Sequence, residues 1–131
     1  VNIGRIYHPG APFAAPDQSL RRAASEMRSG RVSCLPIMSD GELVGVLTER
    51  DVLEAVARGV SPSEARVGDY MNDGDVTVSL EDDSGVAAAR MLAIGCRHLP
   101  VMDRGRLVGI VSARDIFPGS APRDAGRMMV G

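Results

Sequence analysis

The chain has 131 residues, 44% of them hydrophobic, which is enough to bury one sizeable core and argues for a single compact domain. A formal net charge of −2 and an aromatic content of 3% exclude the basic, base-stacking surface of a nucleic-acid binder, and no apolar run approaches the length of a membrane span. All fifteen cationic side chains are arginines, so an anion would be met by guanidinium forks, backbone N–H groups or the two histidines.

In chain order, Ile3-Gly4-Arg5-Ile6-Tyr7 is followed by His8-Pro9-Gly10-Ala11-Pro12, and a first strand is placed at Phe13–Ala15 between prolines. Leu20, Ala23, Ala24 and Met27 recur at the spacing of one helical face, with Asp17 or Ser19 as N-cap. Strands over 33–38 and 42–47 flank Ser39-Asp40-Gly41, a turn that supplies the positive φ of a tight hairpin. Thr48 opens a second helix with Asp51 reaching back as a capping box, and Leu53, Val56 and Ala57 give that helix an apolar side. Arg58 to Ser63, rich in Gly, Ser and Pro, reads as a linker. A second round follows: a strand at Val76-Thr77-Val78, a helix over 83–94, strands over 97–102 and 106–111, and a helix from Ser112 to Phe117 stopped by Pro118-Gly119. The tail from Gly119 to Gly131 is expected to be loosely held, with Met128 and Met129 available to an unknown protein partner.

The second round copies the first. Leu35-Pro36-Ile37-Met38 returns as Leu99-Pro100-Val101-Met102, and Leu43-Val44-Gly45-Val46-Leu47-Thr48-Glu49-Arg50-Asp51 returns as Leu107-Val108-Gly109-Ile110-Val111-Ser112-Ala113-Arg114-Asp115, both at an offset of 64. The same offset carries Ala23, Ala24 and Met27 onto Ala87, Ala88 and Met91, and Ile3-Gly4 onto Val67-Gly68. The chain divides into residues 1–60 as repeat 1, 61–66 as linker, 67–118 as repeat 2 and 119–131 as a flexible tail. A lone sheet with two short helices leaves one face uncovered, so the repeats are expected to pack sheet to sheet, with a cleft on each side of a pseudo-two-fold axis.

A strand-Gly-strand-Thr/Ser-x-x-Asp-helix unit after a Leu-Pro strand, repeated at about this distance, resembles the CBS (cystathionine-beta-synthase) domain pair, or Bateman module, over residues 1 to 118. The fold this implies is α+β: tandem β-α-β-β-α units packed with pseudo-two-fold symmetry, expected as a homodimer of four repeats. Val67-Gly68-Asp69-Tyr70-Met71 resembles the family's opening before Val76-Thr77-Val78, whereas the first repeat departs from it through its prolines.

Thr48 with Asp51, and Ser112 with Asp115, carry the expected chemistry. A helix start presents free N–H groups to a phosphate, the hydroxyl adds a donor, and a carboxylate one turn on accepts both hydroxyls of a ribose. The same pattern is also an ordinary helix cap. Arg50 and Arg114 inside these motifs suit a phosphate or an ion pair across a dimer. The resemblance implies that Arg97 and His98 reach ligand phosphates, a pair that Ser33-Cys34 replaces in repeat 1, so the two clefts are expected to differ in anion affinity. An adenine would be gripped by aliphatic side chains, Leu35, Ile37, Leu99, Val101 and Val76, with Pro36, Pro100 and Thr77 beside them. Gly45 and Gly109 inside aliphatic strands point to close approach of a ligand or of the other repeat.

No nucleophile elbow, HExxH, Walker loop or GxGxxG is present, Cys34 and Cys96 form no CxxC motif, and Cys96-x-His98 lacks further metal ligands. The expected protein is no enzyme and holds no metal. It is a cytoplasmic regulatory module, without a secretory signal or membrane partner, that binds AMP, ADP, ATP or a related adenosyl compound. Two alternatives stand beside it: a dimerisation and interaction module whose motifs are caps alone, and a regulatory fragment of a larger enzyme or transporter, which a chain opening on Val1 permits.

Overall fold

The computed structural model describes residues 1–73 and 76–117. The expected tail and the Pro118-Gly119 stop lie outside the described residues. The elements are β1 (His8–Pro9), α1 (Leu20–Gly30), β2 (Cys34–Ser39), β3 (Glu42–Thr48), α2 (Glu49–Ala57), β4 (Val78–Ser79), α3 (Ser84–Ile94), β5 (His98–Asp103), β6 (Arg106–Ser112) and α4 (Ala113–Ile116), with single 3-10 turns at Ile3–Arg5 and Val67–Asp69.

Each local prediction traces to a specific group. Ser19 rather than Asp17 caps α1, its side chain accepting from Arg22 N–H, and the helix buries Leu20, Ala23 and Met27. Asp83 caps α3, which buries Ala87 and Met91 and ends on Gly95 in the left-handed region. Both hairpins turn through two residues with positive φ, Asp40-Gly41 and Arg104-Gly105, the geometry that matches strand twist. In both, the register slips after Ile37 and Val101, so the two hairpins carry the same bulge. The helix α2 differs from its predicted face. Ala55 is buried and Val52 half-buried against the core, while Leu53, Val56 and Ala57 are exposed.

The first strand of repeat 1 shrinks to one bridge, Ala14 with Ile37, because Pro12 and Pro16 flank it and leave few N–H groups to pair. The equivalent pairing in repeat 2 is the two-residue parallel contact of β4 with β5, Val78 to Val101.

The sequence pattern did not announce one feature, the exchange of opening segments between the repeats. His8 and Pro9 pair with Ile110 and Gly109 of β6, and Asn2 bridges Asp83. Asn72 bridges Val46 of β3, and Arg66 bridges Ser19. Each pairing is the other's image at the same offset of 64, so residues 2–9 dock on repeat 2, where His8 and Pro9 extend the sheet, while residues 66–72 dock on repeat 1, where Asn72 bridges β3. The segment read as a linker is tied down by this exchange, since Pro62 and Ala65 carbonyls accept from the first N–H groups of α1, Arg21 and Leu20.

The exchange explains the strand glycines. A Cβ at Gly45 would meet the Asn72 carbonyl oxygen at 2.6 Å and Met71 Sδ at 2.7 Å, and one at Gly109 would strike the His8 carbonyl oxygen. The close approach is therefore to the other repeat's backbone. Strand β2 lies against β5 and β3 against β6, which gives the expected contact between sheets. Two apolar clusters result: one holds Leu20, Leu35, Ile37, Val46, Leu47 and Val67, the other Ile3, Val78, Leu99, Val101 and Val111, and Ile94 touches both. Ile3 sits in the repeat 2 cluster and Val67 in the repeat 1 cluster, so the exchange extends into the core.

Candidate functional site at the duplicated helix caps

The two Thr/Ser-x-x-Asp motifs sit where β3 and β6 hand over to α2 and α4. Asp51 Oδ2 accepts from Thr48 N–H at 2.7 Å and from Thr48 Oγ1 at 2.8 Å, and Asp51 N–H donates to Thr48 Oγ1 at 3.2 Å. Asp115 Oδ2 accepts from Ser112 N–H at 2.8 Å and Ser112 Oγ at 2.9 Å. Both are the expected caps, and both carboxylates also receive a polar side chain from the exchanged segment. Asn72 Nδ2 donates to Asp51 Oδ2 at 2.7 Å, and His8 Nε2 lies 2.8 Å from Asp115 Oδ1. His8 and Asn72 are again images at offset 64. Each motif aspartate therefore stands at a boundary between the repeats, facing a replaceable polar partner: Asn72 is exposed, and the His8 side chain is 64% exposed.

The basic pair is placed differently from a simple phosphate clamp. Arg97 reaches Glu49 of the other repeat, Nη2 to Oε1 at 3.5 Å, an exposed and weak pair. His98 Nδ1 accepts from Ser33 N–H at 3.1 Å and lies 2.8 Å from Ser33 Oγ, so that nitrogen carries no proton. Burial, followed by the neighbouring Arg97 charge, pushes the His98 pKa down to about 4. His98 is thus a neutral imidazole, able to offer a ligand an N–H donor from Nε2 but no positive charge. This corrects the expectation of a basic pair to a basic arginine beside a neutral donor.

The remaining predicted site residues divide by burial. Leu35 and Leu99 are fully buried, and Pro36 and Pro100 are buried with them, so in this conformation all four belong to the core. Val76 is half-buried against the first cluster, and Thr77 is half-buried beside it, its carbonyl accepting from Arg90. The Arg50 guanidinium packs on Gly95 of the other repeat, where a Cβ would meet its Nη2 at 2.6 Å, and Arg114 is exposed. An open depression of about 660 Å³ lies between repeats, lined by Phe13, Met38, Asp40, Gly41, Arg106 and Leu107. It is not lined by either motif.

A buried polar group that the sequence pattern does not reveal joins the repeats near their shared axis. Ser33 Oγ accepts from Arg97 N–H at 3.1 Å and lies 3.0 Å from Cys96 Sγ, and both Cys34 Sγ and Cys96 Sγ lie 3.2 Å from the His98 carbonyl oxygen. A hydrogen bond from Cys34 lowers the Cys96 thiol pKa, and the same contact, with burial, raises that of Cys34. Among the described residues no group of three or more His, Cys, Asp or Glu side chains is arranged to hold a metal, and no helix is long and apolar enough to cross a membrane.

The duplicated motif, the twin hairpins and the exchanged segments coincide with a match to the CBS domain over residues 3–58 and again over 67–118. The chain belongs to the CBS-domain family. Among curated relatives, the CBS domain-containing protein YhcV of Bacillus subtilis is 34% identical over 106 residues, covering 78% of this chain and 73% of YhcV. The uncharacterised protein MK0525 of Methanopyrus kandleri is 30% identical over 120 residues, 89% of this chain and 61% of that protein. An inosine-5'-monophosphate dehydrogenase of Thermoplasma acidophilum is 31% identical over 123 residues, a stretch that is 24% of the enzyme. Among solved CBS structures, PAE2072 of Pyrobaculum aerophilum in complex with AMP superposes with a TM-score of 0.76 at 25% identity, covering 100% of both chains. The CBS pair of MJ0100, in complex with 5'-methylthioadenosine and S-adenosyl-L-methionine, gives 0.73 at 25% identity over 98% of each.

Proposed function

We propose that this CBS pair is a cytoplasmic, non-enzymatic sensor that reversibly binds an adenosine-containing ligand, an adenine nucleotide such as AMP, ADP or ATP or a related adenosyl compound, at its motif aspartates. The observation that carries the reading is the pairing of Asp115 with His8 and of Asp51 with Asn72. A ribose offers two adjacent hydroxyl donors, and a carboxylate held by its own helix cap is a matched acceptor. Each carboxylate already accepts from a solvent-facing side chain of the other repeat, so a ribose can take that place without unsatisfied polar groups being left behind. Ser112 and Thr48 supply the hydroxyl next to it, and Arg97, Arg114 and Arg50 the positive charge for phosphate. The AMP and methylthioadenosine complexes of PAE2072 and MJ0100 support the ligand class. Replacing His8 or Asn72 would loosen a contact between repeats, which gives the ligand a means to bias their relative arrangement.

Titration calorimetry with AMP, ADP, ATP and S-adenosylmethionine tests this directly. Saturable binding is expected, with at least a tenfold loss of affinity in a folded Asp115→Ala variant; no binding across the panel sinks the reading.

A second reading is favoured by one observation. Leu53 and Leu92 are 70% and 83% exposed on α2 and α3, and Val56 and Val86 are exposed on the same helices. Apolar side chains on these helices suit a homodimer, either of the ligand-binding module or of one that recruits a protein partner without any ligand.

A further inference from the structure

We propose that Cys34 and Cys96 form a reversible disulfide that staples the two repeats together, making the boundary between them a site of oxidation by a hydroperoxide. The two thiols come from opposite halves of the pseudo-symmetric pair. Cys34 begins β2 of repeat 1, whereas Cys96 lies just before β5 of repeat 2. They converge on a single acceptor, the His98 carbonyl oxygen, each at 3.2 Å. The pairing is not an echo of the repeat: the image of Cys34 at offset 64 is His98, and that of Cys96 is Val32. Two thiols brought together from different repeats, against the symmetry of the rest of the interface, are what a covalent link between repeats requires.

The surroundings assign roles to the two sulfurs. Cys96 retains slight exposure, 5% against 1% for Cys34, and Ser33 Oγ lies 3.0 Å from its sulfur. The neighbouring Cys34 thiol favours the Cys96 thiolate, against the burial that opposes it. Glu49 is the nearby acid, and its pairing with Arg97 partly offsets the repulsion it exerts on a thiolate. Cys96 is the attacking sulfur and Cys34 the resolving one. In the first step the Cys96 thiolate attacks one oxygen of hydrogen peroxide; the S–O bond forms, the O–O bond breaks, and the departing hydroxide takes up the proton Cys96 had released. In the second, the Cys34 sulfur attacks the sulfenic sulfur of Cys96; the S–S bond forms, the S–O bond breaks, and hydroxide leaves with the Cys34 proton as water. Two thiols and one peroxide become a disulfide and two waters. The loop closed by the bond contains the whole connection between repeats, so the disulfide restricts the same relative movement that a ligand at the caps would bias. The disulfide forms whether or not a ligand is bound.

The test is treatment of the native protein with hydrogen peroxide, alkylation of remaining thiols with N-ethylmaleimide, and mass spectrometry of a non-reduced digest. A peptide joining Cys34 to Cys96 within one chain is expected, with loss of maleimide uptake at both positions and full recovery after dithiothreitol. The denaturant midpoint should rise on oxidation and return on reduction. In a folded Cys34→Ser variant the resolving sulfur is gone, so a dimedone adduct is expected to accumulate at Cys96. The wild-type peptide decides the matter even where that variant does not fold. Free thiols after treatment, sulfinic acid at Cys96 without a crosslink, or disulfides only between chains would each overturn the proposal.

Discussion

At the residue scale, two positions show how a small chemical choice is fixed by a distant neighbour. Gly109 and Gly45 lack side chains because a backbone from the other repeat lies where a Cβ would go. Gly109→Ala is expected to destabilise the protein by about 2–3 kcal/mol, as overpacking against an immobile carbonyl does, and Gly45→Ala by somewhat less because the Asn72 carbonyl oxygen lies farther from an added Cβ there than the His8 carbonyl oxygen does at Gly109. Urea denaturation of the two variants measures both. His98 gives a pH signature. Its folded pKa of about 4 lies below the ordinary value of 6.5, so the folded state favours the neutral ring while the unfolded chain takes up a proton first. The His98 contribution to stability is therefore present above pH 6.5 and is lost as pH falls from 6.5 through about 4. His98→Asn retains an acceptor for Ser33 N–H without the titration, and its stability profile across that window should be flatter than that of the parent when followed by thermal unfolding.

At the scale of elements, the helix starts join local capping to the contact between repeats. In α2 the Thr48 hydroxyl both accepts from Asp51 N–H and donates to its carboxylate, and Thr48 is itself buried. Thr48→Ala removes both bonds and is expected to lower stability by about 1 kcal/mol, near the middle of the range for lost N-caps. Ser112→Ala should lower it less, because α4 spans only Ala113–Ile116 and there is little helix to support. Chemical denaturation compares the two. If the caps had no role beyond helix stability, ligand affinity would follow these stability losses. A ribose site predicts instead that the aspartate substitutions weaken binding more than the hydroxyl substitutions do, whatever their order in stability.

At the scale of the whole molecule, the exchange of opening segments makes each half incomplete without the other. The repeat 2 cluster contains Ile3 and the repeat 2 sheet contains β1, while Val67 and Asn72 do the same for repeat 1. Burying one side chain of the size of Ile3 is worth about 1.5–3 kcal/mol, a large share of what a half of this size could hold. Peptides covering residues 1–60 and 61–131 are therefore expected to show little ordered structure alone and to recover the parent circular dichroism spectrum when mixed. Independent folding of either peptide would contradict the interdependence of the halves. The same arrangement explains why Asp51 and Asp115 report on the relation between repeats: their partners Asn72 and His8 ride on the exchanged segments.

The sequence alone showed the duplication through its repeat at an offset of 64 and, through the family resemblance that this repeat carries, the α+β class; the helix faces of α1 and α3, both hairpins and both capping boxes were legible because they depend on periodicity, turn chemistry and groups within four residues of one another. The tertiary structure decided the rest. The Phe13–Ala15 strand reduces to a bridge at Ala14 because pairing with Ile37 is limited by prolines on both sides. The inward face of α2 turns to Val52 and Ala55, because packing, not apolarity, chooses which of several hydrophobic residues is covered. His98 becomes neutral because the packing of the repeats buries it beside Arg97, and Ser33, far away in the chain, donates to its ring. The pairing of His8 with Asp115 and the meeting of Cys34 with Cys96 join residues from different repeats, and local sequence carries no term for contacts of that range. The offset of 64 did contain a signal for the first, in the polar match of His8 with Asn72, but only the exchange of segments gave that match a place to act.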